Sequence, residues 1–137
     1  NVASIVGMAT ALKENCDKMD ANDANIRALE HRLLSALSDA GVFFIRNGGK
    51  NTLPGLISLS FEGADGEAIL HRMDLNGISI STGSACDSKN TEISHVLKAI
   101  CLDEKYAKGT IRISIGKNNT MVDVEAIATA LIKILKK

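Results

Sequence analysis

Apolar residues recur at helical spacing through the first third of the chain. Over residues 2–19, Val2, Val6, Ala9, Leu12 and Cys16 fall near one stripe of a helix. A second helix is predicted over 20–40, with Ile26, Leu29, Leu33 and Leu37 on its apolar face and Asp20 or Asn22 as its start signal. Gly41 follows, where a helix end often needs positive φ. The period then changes. Residues 42–46 read as a short strand and Asn47-Gly48-Gly49 as a turn. Over 56–61, Ile57, Leu59 and Phe61 alternate with Ser58 and Ser60, the period of a half-buried strand, and Pro54-Gly55 closes the loop before it. Asp65 caps a helix carrying Ile69, Leu70 and Met73, which ends near Asn76-Gly77. Further strands are predicted over 78–81 and 110–115. Between them lie a polar loop over 82–90 and a helix of about ten residues around His95, Val96, Ala99 and Ile100. The last helix has Thr120 as its N-cap, with Asp123 reaching back and Val124, Ile127, Leu131 and Leu135 turned inward. The predicted fold class is α+β, with helices packed on one face of a small, mainly antiparallel sheet.

The other face of that sheet is unusual in composition. Opposite the apolar positions stand Ser58, Ser60, Ser79, Ser81, Arg112 and Ser114, nearly all serine around one arginine. Small hydroxyl side chains permit close approach by another surface, and the arginine fork suits a carboxylate or phosphate. A solvated face with one ordinary arginine is the other reading, and the residues alone do not separate the two.

Composition narrows the field. The chain has 137 residues, one domain's worth, with 45% hydrophobic residues to build its core. Lys and Arg number 16 against 16 Asp and Glu, without the basic excess that general polyanion binding requires. Aromatic content of 3% and no Trp remove the stacking platforms that single-stranded nucleic acid prefers. No apolar run approaches the roughly 18 residues of a membrane span, and the first residues lack a basic, cleavable leader pattern. We therefore expect neither a nucleic-acid nor a membrane partner. Three cysteines, Cys16, Cys86 and Cys101, form neither a CxxC pair nor an even disulfide set, as expected of reduced thiols in the cytoplasm. No Cys/His group has zinc spacing, so no metal site is expected. The chain opens in helical sequence without an initiator Met, the expectation being a fragment of a longer protein.

The sharpest chemical feature is Ile80-Ser81-Thr82-Gly83-Ser84-Ala85-Cys86-Asp87-Ser88. Cys86 stands among small polar residues, where it cannot pack as a small hydrophobe, the usual fate of cysteine. Cys16 and Cys101 lie on apolar helical faces or at a helix end and are expected to be buried and inert. A nucleophilic thiol needs a base or a positive field nearby; the loop supplies Lys89 but no His or Arg. Asp87 would raise the thiol pKa. His31 and His71 read as surface residues, and His95 as more often structural than catalytic.

The stretch from Gly77 to Ser88 resembles the active-cysteine loop of the NifS/IscS-type cysteine desulfurases, of the class V aminotransferase superfamily. Leu53-Pro54, Ile57-Ser58-Leu59-Ser60-Phe61, Gly66-Glu67, Ser94-His95-Val96-Leu97-Lys98-Ala99 and Ile111-Arg112-Ile113-Ser114-Ile115-Gly116 are similar to that family in order and spacing. Thr82, Asp87 and Ser58 depart from its commonest residues.

The resemblance implies the small domain of a fold-type-I, pyridoxal 5'-phosphate-dependent homodimer. Residues 1–19 would be a connecting helix and 20–137 the C-terminal small domain, with the active-cysteine loop at 82–90. It implies Cys86 as nucleophile and persulfide carrier, Arg112 as the clamp for the carboxylate of L-cysteine, and Ser81, Thr82, Gly83, Ser84, Ala85, Asp87 and Ser88 as the loop around the thiol. Sulfur would leave for an acceptor scaffold or carrier protein, serving iron–sulfur cluster assembly or thiolation of tRNA and cofactors. The family's cofactor-binding residues lie upstream of Asn1, so this chain by itself is expected to bind no cofactor and to be inactive. Two alternatives stand beside it: a related pyridoxal-phosphate lyase or aminotransferase, and a cofactor-free sulfur-carrier or interaction module.

Overall fold

The computed structural model describes residues 1–49, 51–82 and 93–136. Two helices open the chain, α1 (Val2–Asp17) and α2 (Met19–Asp39), separated by the single non-helical residue Lys18. They are followed by β1 (Ile45–Arg46), β2 (Leu56–Ser60), α3 (Gly66–Asp74), β3 (Ser81–Thr82), α4 (His95–Ala99), α5 (Glu104–Ala107), β4 (Thr110–Ser114) and α6 (Met121–Leu135). The four strands form one sheet in the order β1-β2-β4-β3, every neighbouring pair antiparallel. The α+β expectation therefore holds.

The core lies between one sheet face and the helices. Ile57 and Leu59 of β2 and Ile111 and Ile113 of β4 are buried, as the alternation required. Against them pack Leu29, Leu33 and Leu37 of α2, Ile69 and Met73 of α3, and Val124, Ala128 and Leu131 of α6. Full burial of each large side chain contributes about 1.5–3 kcal/mol. Local signals reinforce the helix starts. Asp65 accepts from the backbone N–H groups of Glu67 and Ala68, and Thr120 and Asp123 form a reciprocal capping box at α6. Gly41 and Gly77 take positive φ after α2 and α3.

Several expectations need correction. The stripe of α1 is present but none of its residues is buried, so Cys16 is exposed rather than packed. An apolar period marks a face that can be covered, not one that is. Cys101 is also exposed, because it occupies the left-handed position after α4 with φ of 55°. Asp20 lies in the first turn of α2 instead of capping it. The strand predicted over 42–46 shrinks to β1, and the one over 78–81 moves to Ser81–Thr82. The short helix α5 was not anticipated. Among the described residues no helix is long and apolar enough to cross a membrane, and no group of three potential metal ligands occurs.

Candidate functional site

The sheet face turned away from the helices carries a row of polar side chains across all four strands. Ser58 of β2 and Ser81 of β3 are both register partners of Arg112 of β4. Beyond Ser58, Asn47 follows β1 and donates its backbone N–H to the Ser58 carbonyl at 2.9 Å. The row reads Asn47–Ser58–Arg112–Ser81. Side chains at matching register on neighbouring antiparallel strands share a face, so all four project outward.

Arg112 is the exposed cation of this row. Its Nη2 donates to Ser81 Oγ at 3.3 Å, and among the described residues no carboxylate lies within ion-pair distance. Among the described residues most of its five donors meet no acceptor, and a planar fork binds a carboxylate through two parallel bonds. Alongside lies a cleft of about 320 Å³ lined by Asn47, Ser58 and Arg112 together with Leu53, Leu56 and Val96. A small ligand with one anionic end and an apolar body fits such a lining.

The row is backed by a buried ladder of hydroxyls. Thr110 Oγ1 donates to the Tyr106 carbonyl at 3.3 Å. That uses its single proton, so Ser60 Oγ, 2.7 Å away, donates to Thr110. Ser60 can then only accept from the Asn47 side chain, whose Nδ2 lies 2.7 Å from it and 3.1 Å from Ser58 Oγ. The chain of donors fixes which way the Asn47 amide faces. Ser60, read in sequence as part of an outward polar face, is buried, and so is Thr110. Satisfied bonding makes this burial tolerable.

Of the residues singled out from sequence, the structure brings together Ser58, Ser60, Ser81 and Arg112. Thr82 ends β3 as the register partner of Ile111, one position away from Arg112. Ser79 and Ser114 are exposed, Ser114 at the far end of β4 opposite Leu56. Gly83, Ser84, Ala85, Cys86, Asp87 and Ser88 lie outside the described residues. His31 and His71 are exposed, as read, and His95 is exposed at the start of α4. Asn47 and Thr110 were not anticipated as members. In sequence Asn47 reads as a turn residue, and only its register with Ser58 reveals the second role.

A separate charged group lies around α5. Glu62 is held below the usual carboxylate range by hydrogen bonds from Lys105 and Tyr106. Lys105 is raised by the same Glu62, and burial together with that carboxylate raises the Tyr106 hydroxyl. Lys105 Nζ lies 3.1 Å from Glu62 and 5.0 Å above the Tyr106 ring. This group braces the β2–α3 turn and does not reach the cleft.

Comparison with known proteins gives the arrangement its context. The sequence model of the family described as aminotransferase class-V matches residues 1–127. A cysteine desulfurase IscS of Clostridium botulinum (strain Hall) is 36% identical over 140 residues, covering 100% of this chain and 35% of that protein. An IscS-like cysteine desulfurase of Mycobacterium tuberculosis (strain H37Rv) is 38% identical over 133 residues, covering 96% of this chain and 34% of its own length. The X-ray structure of a NifS-like protein from Rickettsia africae superposes with a TM-score of 0.85 at 28% identity, over 100% of this chain and 35% of that one. The chain thus spans about 35% of the length of such relatives. With Arg112 set on its serine-lined row in a fold shared with NifS-like proteins, this chain belongs to the aminotransferase class-V family.

Proposed function

We propose that this chain is the C-terminal small domain of a cysteine desulfurase, with residues 1–19 as the connecting helix and 20–137 as the domain proper. Arg112 binds the carboxylate of L-cysteine, and Cys86, in the active-cysteine loop at 82–90, accepts its sulfur. The observation that carries this reading is the availability of Arg112 beside a small cleft. The strand pairing with Arg112, β3, leads in sequence directly toward Cys86. Relatives named cysteine desulfurase support the choice of reaction.

A Cys86 thiol and L-cysteine give a Cys86 persulfide and alanine. The new S–S bond replaces the substrate C–S bond, whose electron pair stays with the alanine carbon and takes up a proton. The family implies pyridoxal 5'-phosphate for this chemistry. An imine-forming lysine must shed its proton near neutral pH, which burial favours. Every described lysine is exposed, and Lys105 is shifted the opposite way. The described residues therefore do not fit as the cofactor's anchor, and the roles of this chain are carboxylate binding and sulfur acceptance. The full-length protein would act as a cytoplasmic homodimer that passes sulfur to an acceptor scaffold or carrier protein.

The test is mass spectrometry of the full-length protein after incubation with L-cysteine. One added sulfur atom on the Cys86 peptide, lost in Cys86→Ser together with alanine release, is the expected result. Alanine release that survives Cys86→Ser points instead to a lyase or aminotransferase. Neither alanine nor added sulfur from the wild-type protein would sink the desulfurase reading.

A further inference from the structure

On the helix side of the sheet, one buried carboxylate holds both ends of the loop that walls the cleft. Glu30 lies on α2 between Leu29 and Leu33 and is only 6% exposed. Its Oε1 accepts from Arg46 Nη2, at the end of β1. Its Oε2 accepts from the Gly55 backbone N–H at 3.0 Å, one residue before β2. Arg46 Nη2 also donates to Thr52 Oγ1 at 2.9 Å, inside the same connection. Residues 47–55 are therefore tied at the start, the middle and the end.

The anchor has little room to adjust. Gly55 takes φ of +76°, and a Cβ there would stand 2.2 Å from the Ile115 carbonyl oxygen and 2.7 Å from Ile26 Cγ2. Ile26 precedes Glu30 by one helical turn, so the same face of α2 supplies both the wall behind Gly55 and the acceptor for its N–H. The Gly55 carbonyl in turn accepts from Ile115 N at 2.8 Å, fastening the loop end to the residue that follows β4, the strand that bears Arg112. On the outer side, the loop contributes Asn47, Thr52 and Leu53 to the cleft.

We infer that Glu30 is a positioning residue for the carboxylate site. It does not touch the cleft; it fixes the loop that lines the cleft along with Arg112. This inference rests on the desulfurase reading for its ligand, L-cysteine, but not for its geometry. Loss of the carboxylate charge releases Arg46, and with it Thr52 and the cleft wall. Binding weakens while chemistry at the thiol is untouched, the pattern of an interaction used equally in ground and transition states.

Full-length protein carrying Glu30→Gln, Ile134→Ala or neither change is assayed for alanine release over a range of L-cysteine concentrations. Ile134 is a buried α6 residue away from the cleft, so its truncation lowers stability without loosening the loop. Glu30→Gln is expected to raise KM about tenfold, the loss of one charge-assisted bond, with kcat changed less than about twofold. Ile134→Ala is expected to lower the melting temperature and leave KM alone. An unchanged KM in Glu30→Gln, or an equal rise in Ile134→Ala, would overturn the inference. If the wild-type protein makes no alanine, the desulfurase reading fails instead. Amide exchange then decides the positioning role. The Gly55 N–H should exchange about tenfold faster relative to that of Ile113 in Glu30→Gln, and an unchanged ratio rejects it.

Discussion

Arg112 reaches across the β4–β3 pair to donate to the Ser81 hydroxyl, 3.3 Å away, and so lies flat along the polar face. A side chain as long as arginine loses much of its freedom when held this way, which reduces the entropy lost on gripping a ligand. Such a hold is what the proposed role of Arg112 as a carboxylate clamp requires.

Replacing Arg112 with lysine keeps the charge and removes the fork. In the full-length protein, KM for L-cysteine should rise about tenfold for Arg112→Lys and more for Arg112→Leu, with circular dichroism unchanged. Equal KM values for wild type and lysine variant would show that two-point binding is not used.

The ladder from Asn47 to Tyr106 is directional, and Ser60 is its middle member. Ser60→Ala leaves the Asn47 Nδ2 and Thr110 Oγ1 groups each short of a partner, at a cost of about 1–3 kcal/mol. The double variant Ser60→Ala/Thr110→Val should cost less than the two single changes added together. Strict additivity in denaturant titrations would argue against a continuous ladder.

At the start of α6, Asp123 is held below the usual aspartate range, chiefly by the Thr120 backbone N–H. A lowered native pKa means stability that is complete above the unfolded value and fades as pH falls through the native one. Thermal melts from neutral pH toward pH 2 should fall less steeply in Asp123→Asn than in wild type. Thr120→Ala should cost about 1 kcal/mol at neutral pH, and a melting temperature unmoved there would remove the capping box from the account.

Two residues in left-handed backbone call for opposite substitutions. Cys101, at φ 55°, is the described non-glycine residue in that region, and Cys101→Gly should add about 1 kcal/mol of stability. The exposed thiol has no role in the proposed chemistry, so alanine release should persist. Gly55→Ala meets both positive φ and the Ile115 carbonyl and should lose at least about 2 kcal/mol. Chemical denaturation of the two variants would reveal either sign as wrong.

The long periodic elements were legible because their burial is written at fixed intervals. Leu29, Leu33 and Leu37, and likewise Ile57 and Leu59, lie where their spacing placed them. Arg112 and its serines were legible for the same reason, seen from the opposite face. Elements of two to four residues carry no period, which is why β3 was misplaced and α5 missed. Glu30 was hidden by its type, since a glutamate on a helix is normally solvated. Only the approach of Arg46 and Gly55, 16 and 25 residues away in sequence, makes its burial intelligible.

Among the described residues both outer strands of the sheet, β1 and β3, cover two residues, while the central pair cover five each. A strand edge recruits other chains by offering a run of free N–H and C=O groups, and two residues make a poor template. The β1 edge thus offers little backbone for growth of the sheet in its own plane. Over the described residues, recognition at this sheet would fall to its face of side chains, where sequence can choose the partner, more than to backbone, which would accept almost any strand.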